Sequence, residues 1–372
     1  FRTIACLPAV VGAWRERGGG LLHWTRSFFD ECLDGAAVSR TDLRGPRSRK
    51  LSMIQLGRAL TDPDLAPPVK ALVVYDSNPA VIAPNQDLVL RGLAREDLFT
   101  VVSDLFLTDT ARYADYVLPA TSFLEHLDLL LPWGHTYVTL NRPAIEPLGE
   151  SVSNGELFRR LAAAMGYDEP HLRESDEAMV RAALVTGHPY LEGISYEALL
   201  ERGWAPLRLP ERLPFAEGFP TASGRCELFA EPSPAHLPPP DGLPLTLVSA
   251  KTELHYLNSS YSQLPRHAAA AEAFAVHIHP DDAAVRGIAD GDPVRVGSDF
   301  GSLELPARVG DRVRPGVVAI PHGRWGRSAN ALTSDGLADL GGGGDFFGTR
   351  VDVRPAAKAP ASGSGPDPRG GG

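Results

Sequence analysis

Cysteine is scarce in this 372-residue chain: Cys6, Cys32 and Cys226 lie far apart, and no C-x-x-C pair occurs. That spacing encodes neither a cysteine-rich zinc site nor a local iron–sulfur loop. The odd count fits a reducing compartment better than a disulfide framework. Long apolar runs are also missing; none approaches the roughly 20 residues a membrane helix needs, so no membrane partner is expected. Positive charge is in deficit, with a formal net charge of -10, which argues against a nucleic-acid partner. What basic charge there is comes almost entirely from arginine, suited to bidentate contacts with carboxylate or phosphate. Neither GxxxxGK[ST] nor GxGxxG is present, so any nucleotide is held without the commonest glycine fingerprints. A GxSxG elbow is absent too, and no Ser–His–Asp arrangement stands out. The first residue is Phe1 rather than Met, and residues 4–11 read like the middle of a folded element, so a longer parent polypeptide is expected. A cytoplasmic location is the expectation, although an export signal upstream would be invisible.

The remaining composition is that of a soluble globular protein, 43% apolar and 22% charged, long enough for two or three domains. The first 62 residues look mostly helical and are expected to be the remnant of a preceding domain. Gly18-Gly19-Gly20 and the basic stretch 44–50 interrupt them. An α/β nucleotide-binding domain follows over 63–166. Its β-type runs 71–75, 98–102 and 116–118 stop at polar turns: Asp76-Ser77-Asn78-Pro79, Ser103-Asp104 and Pro119. Strands that end in polar loops predict a Rossmann-like parallel sheet with a ligand crevice at its carboxyl edge. Residues 167–240 form an irregular proline-rich connection with one helix over 175–185. From 241 to 355, short strands around a helix at 279–286 predict a β-barrel. The tail 356–372 is low-complexity and is expected to be disordered.

Asp76 and Asn78 could bond a ribose or a base edge, and Thr108, Asp109 and Thr110 sit where a helix starts. On spacing alone, ordinary turn and capping chemistry is the stronger account of all five. His277 and His279 alternate on a strand, yet no third metal ligand lies nearby, and a strand-to-helix junction is simpler. Asp115, Glu125 and Asp128 could suggest paired acid–base carboxylates, but Asp128 lies three residues after Glu125 and a solvated helix face accounts for those two.

Read as whole phrases, the chain resembles the C-terminal half of a molybdopterin oxidoreductase of the dimethyl sulfoxide reductase superfamily, in its formate dehydrogenase and assimilatory nitrate reductase group. Val11-Gly12 with Gly18-Gly19-Gly20, Asn78-Pro79-Ala80, and Asp104 with Thr108-Asp109-Thr110-Ala111 carry the resemblance first. Ala114-Asp115-Tyr116-Val117-Leu118-Pro119, Glu125, Gly134-His135-Thr136, Asn141-Arg142 and Pro147-Leu148-Gly149-Glu150 follow in order. The C-terminal region adds residues 245–249 with Lys251-Thr252, His255, Asn258 and Ser259, then HPDDAAVRGI and DGDPVRV. Arg314-Pro315-Gly316-Val317, Pro321-His322-Gly323 and Asn330-Ala331-Leu332-Thr333 complete the series.

The resemblance implies a double-psi-type barrel at the C-terminus and a bis(molybdopterin guanine dinucleotide) molybdenum cofactor. Asp76, Asn78, Pro79, Asp104, Thr108, Asp109 and Thr110 would line a guanosine site. Ser249, Lys251, Thr252, His255, Asn258, Ser259, His322, Gly323, Asn330 and Thr333 would meet pterin or pyrophosphate. His135 and Arg142 would face a substrate funnel. The family's [4Fe–4S] cluster and molybdenum ligand belong to an N-terminal half, and Cys6, Cys32 and Cys226 match neither motif. The implied activity is two-electron oxidation or reduction of a small substrate such as formate or nitrate. Electrons would pass to a NAD-, quinone- or ferredoxin-linked partner. The rivals are a non-catalytic subunit like the large subunit of NADH dehydrogenase, and an inactive fragment.

Overall fold

A computed structural model describes residues 2–40, 49–211, 213–228, 242–251, 261–271, 273–338, 342–346 and 348–356. Its strands are β1 (Ala71–Tyr75), β2 (Phe99–Asp104), β3 (Tyr116–Pro119), β4 (Asp128–Leu130), β5 (Tyr137–Asn141) and β6 (Trp204–Pro206). After them come β7 (Leu245–Ala250), β8 (Val276–Ile278), β9 (Pro293–Gly297), β10 (Ser302–Val309), β11 (Val317–Pro321) and β12 (Arg350–Pro355).

The chain divides into two compact units, each built from two separated stretches: Phe1–Ser48 with Pro119–His236, and Arg49–Leu118 with Leu237–Gly372. The expected linear order of domains therefore differs from the packing. A single α/β domain over 63–166 is split near Pro119, where the parallel sheet ends and the chain joins the N-terminal helices.

In the first unit, β4, β5 and β6 form an antiparallel sheet. Val138 and Leu140 of β5 pack with Phe29, Cys32, Val180, Leu184 and Leu199 in one apolar core. Burial pushes the Cys32 thiol up to about 11, so it stays protonated and behaves as a small apolar side chain. The helix Asn154–Ala164 begins at Ser153, whose hydroxyl accepts from the Glu156 amide at 3.2 Å, and Gly166 closes it in a left-handed turn. Within 167–240 the one helix expected at 175–185 is Asp176–Leu184, and the structure adds the helix Tyr196–Arg202 and β6. The second of these helices carries ordinary stop and start chemistry: Ser195 caps the Ala198 amide, and Gly203 ends it at φ 87°.

In the second unit, β1, β2 and β3 make a three-stranded sheet in sequence order, with β1 and β2 parallel from Ala71↔Phe99 to Tyr75↔Ser103. The helices Pro79–Ile82 and Gln86–Leu93 form the crossover between β1 and β2. The C-terminal stretch closes a six-stranded barrel in the order β10-β8-β11-β7-β12-β9. Parallel pairs (β8 with β10, β7 with β11) mix with antiparallel ones, and the double-psi-type expectation is met. Alternation along the strands sends Leu245, Leu247, Val294, Val296, Leu303, Leu305, Val351 and Val353 inward, where they fill the interior. His279 marks the junction expected: its Nδ1 accepts from the Asp281 amide at 3.2 Å and starts the helix Pro280–Ala284. Among the described residues no helix is long and apolar enough to cross a membrane.

Candidate functional site

Within the second unit, a cleft of about 570 Å³ opens at the carboxyl edge of the parallel sheet. Tyr75, Ser77, Pro79, Ile82, Ala83 and Pro84, from the end of β1 and its crossover, form one part of its lining. Ser249 and Lys251 at the end of β7, His322 after β11, and Asn330 supply the barrel's part. Met53, Ile54, Leu56 and Phe346 complete an apolar wall. A mostly apolar cavity with a few convergent polar groups is the general form of a small-molecule or cofactor site.

Of the residues expected at a binding site, Pro79, Ser249, Lys251, His322 and Asn330 line this cleft together. Ser249 and His322 are mutually engaged, with Oγ and Nδ1 3.3 Å apart, and Gly323 follows at φ 86° in the left-handed region. Thr252, His255, Asn258 and Ser259 lie outside the described residues. His135 and Arg142 belong to the first unit, where both are exposed. His135 accepts from the Tyr137 amide, and Arg142 donates to the Leu200 carbonyl at 3.0 Å.

Another group stands in the turns of the β1 and β2 edge and bonds mainly within the protein. Thr110 donates both its amide and its hydroxyl to Asn78 Oδ1, at 3.1 and 2.7 Å, and its hydroxyl accepts from the Ala80 amide. Thr108 caps the Ala111 amide. Thr333 donates to Asn330 Oδ1, while Asn330 Nδ2 donates to the Val81 carbonyl at 2.9 Å. Asp109 Oδ1 accepts from the Gly326 amide at 3.2 Å. These side chains hold the loops in shape. Two polar atoms among them are left over: Asn78 Nδ2 and Asp109 Oδ2 are buried with no hydrogen-bond partner, a costly arrangement unless a ligand supplies an acceptor for the first and a donor for the second.

Asp76 and Asp104 end the adjacent parallel strands, and Asp76 occupies the left-handed region at φ 50°. Burial raises the Asp104 carboxyl above the usual aspartate range, and the nearby Asp76 charge adds to this. Amide bonds from Phe106 and Leu105 offset part of the rise. A pair of carboxylates that repel each other is stabilised by a ligand bearing N–H donors.

Sequence reading missed Ser77, the apolar wall and Gln86. Ser77 stood in the polar turn already singled out. Phe346 and Ile54 carry no local signal, because 292 residues of chain separate them and only the fold brings them to one wall.

Two family models match the chain. "Molybdopterin oxidoreductase" covers residues 2–164, and "Molydopterin dinucleotide binding domain" covers 245–350. "Probable oxidoreductase YoaE" of Bacillus subtilis is 41% identical over 370 residues, spanning 95% of this chain and 53% of the relative. The assimilatory nitrate reductase catalytic subunit of Bacillus subtilis is 30% identical, over 72% of this chain and 40% of its own length. The chain thus spans about half the length of these curated relatives. Acetylene hydratase from Pelobacter acetylenicus superposes with a TM-score of 0.65 over 82% of this chain and 46% of that one; at 24% identity this is a likeness of fold. The chain belongs to the molybdopterin oxidoreductases of the dimethyl sulfoxide reductase superfamily, and its C-terminal barrel is their molybdopterin dinucleotide-binding domain.

Proposed function

We propose that this chain binds the dinucleotide portion of a bis(molybdopterin guanine dinucleotide) molybdenum cofactor, in an oxidoreductase acting on a small substrate such as formate or nitrate. The observation that carries the reading is the shared cleft: loops at the carboxyl edge of the sheet and loops of the barrel line one cavity. The donor set fits such a group. Lys251 and the hydroxyls of Ser77 and Ser249 suit a pyrophosphate, the apolar wall suits a flat heterocycle, and the unpartnered Asn78 amide awaits an acceptor. Asp76 and Asp104 suit the N–H edge of guanine.

When bound, the cofactor supplies the two-electron chemistry. The residues of this chain bind it, orient it and keep water from its apolar faces. Formate and nitrate are proposed because relatives named as an F420-dependent formate dehydrogenase subunit and an assimilatory nitrate reductase are each 30% identical to this chain, over 73% and 72% of its length. An electron-transfer partner linked to NAD, quinone or ferredoxin is proposed alongside.

The test is chemical. Protein isolated from cells supplied with molybdate is denatured, and the supernatant is assayed for molybdenum and for GMP after hydrolysis of the pyrophosphate. Stoichiometric release of both is expected. Release of neither would overturn the reading in favour of a non-catalytic subunit. Dye-linked assays with formate and with nitrate then separate the two substrates.

A further inference from the structure

Gln86 is the first residue of the helix Gln86–Leu93 and is 1% exposed. Its side chain reaches in two directions. Nε2 donates to the Ala80 carbonyl at 2.7 Å, in the short helix that walls the cleft, and to the Gly326 carbonyl at 2.8 Å, in the barrel loop after His322. Oε1 accepts from the Ser328 amide at 3.0 Å. One amide thus ties both cleft walls together, and its two donors and one acceptor match three backbone groups. Around it, Ser328 Oγ donates to the Val81 carbonyl at 3.0 Å, joining Asn330 on the same oxygen.

We infer that Gln86 is a positioning residue that sets the spacing of the two cleft walls and thereby governs how tightly the cofactor is retained. It is not part of the cleft lining; it acts through the backbone of Ala80, Gly326 and Ser328. No other common side chain places two N–H donors and one acceptor on a single planar head at this reach. The inference rests on the cofactor reading above.

The experiment compares the loaded wild-type protein with Gln86→Leu and Gln86→Glu, following cofactor loss by the fluorescence of released, oxidised pterin. Gln86→Leu strands two carbonyls and an amide, and loss is expected to be about tenfold faster or more at every pH. Gln86→Glu carries the distinguishing signature. A protonated carboxyl donates to one carbonyl and still accepts from Ser328, whereas the ionised form faces two carbonyl oxygens. Retention in Gln86→Glu is therefore expected to approach the wild type at low pH and to fall as pH rises through the raised pKa of that buried acid. Asp87, Asp109 and Arg327 flank the site in every variant, so Gln86→Leu controls for their titration. A general folding defect would not recover on acidification. Loss at the wild-type rate in Gln86→Leu, or a Gln86→Glu profile parallel to that of Gln86→Leu, would overturn the inference. Wild-type protein that never carries cofactor would instead overturn the reading it rests on.

Discussion

Arg58 and Asp335 meet in a two-pronged ion pair, Nε to Oδ2 and NH2 to Oδ1 both at 2.7 Å, although 277 residues separate them in sequence. The pair is lopsided: the Asp335 side chain is 2% exposed and that of Arg58 is 59% exposed. Arg58 lies in the helix Leu56–Thr61, and Asp335 follows the barrel loop that carries Asn330. Asn85 Nδ2 adds a longer bond to the same carboxylate at 3.4 Å.

Removing Arg58 leaves a buried carboxylate with Asn85 and its own backbone amide beside it. Arg58→Ala is expected to cost about 1–3 kcal/mol in urea unfolding at neutral pH. Asp335→Asn is expected to cost less, because it removes the buried charge as well. The hydrogen bonds from Arg58 hold the Asp335 carboxyl below its usual range. The pair's contribution is therefore complete above the ordinary aspartate value of about 3.9 and is lost as pH falls through the depressed native value. Arg58→Ala should flatten that acidic limb of the stability profile; an unchanged limb would remove the pair as its cause.

Asp104 has the opposite sign. Burial raises its native pKa, so its ionised form opposes folding, and stability is gained as pH falls through the raised value toward the unfolded one. Asp104→Asn is expected to raise the thermal midpoint of cofactor-free protein at neutral pH while lowering the molybdenum content of protein purified from cells. A lower midpoint together with full molybdenum would contradict both halves.

Gly92 sets the approach of two helices. A Cβ there would stand 2.5 Å from the Leu60 Cβ, which cannot swing aside as a side-chain tip can. Gly92→Ala is expected to destabilise by about 1–3 kcal/mol through overpacking, although alanine is the better helix former. Pairing it with Leu60→Gly, which removes that Cβ, should cost less than the sum of the two single changes, and strict additivity would argue against the contact.

Leu247 lies fully buried inside the barrel. Leu247→Ala is expected to cost about 2–5 kcal/mol in chemical denaturation. A much smaller loss would mean that the barrel collapses around the cavity.

The elements were largely legible in sequence because their signals are local. Residues 71–75 are apolar, with β-branched Val73 and Val74, and end in Asp76-Ser77-Asn78-Pro79, and the structure has β1 over Ala71–Tyr75. Gly166 ends a helix as its C-cap chemistry requires, although the Ser153 cap at the other end is a structural finding. The same kind of signal at Ser195 and Gly203 passed unread amid the prolines of 167–240. The two-unit partition was not legible, since nothing in 119–166 shows locally that it packs with residues 1–48.

Binding residues divide along the same line. Their types and order were sufficient to show the family, because many short phrases in sequence are unlikely to recur together by chance. What each side chain does was decided by tertiary structure. Folded, Asn78 Oδ1 and Asn330 Oδ1 accept from Thr110 and Thr333, while Asn78 Nδ2 is left without a partner and Asn330 also lines the cleft. Sequence determined the strands, turns and barrel alternation, since these follow from backbone sterics and side-chain period. Only the fold could give Gln86 its role, because its three partners come from a short helix and a barrel loop some 240 residues apart, and hydrogen bonding is a matter of distance in space.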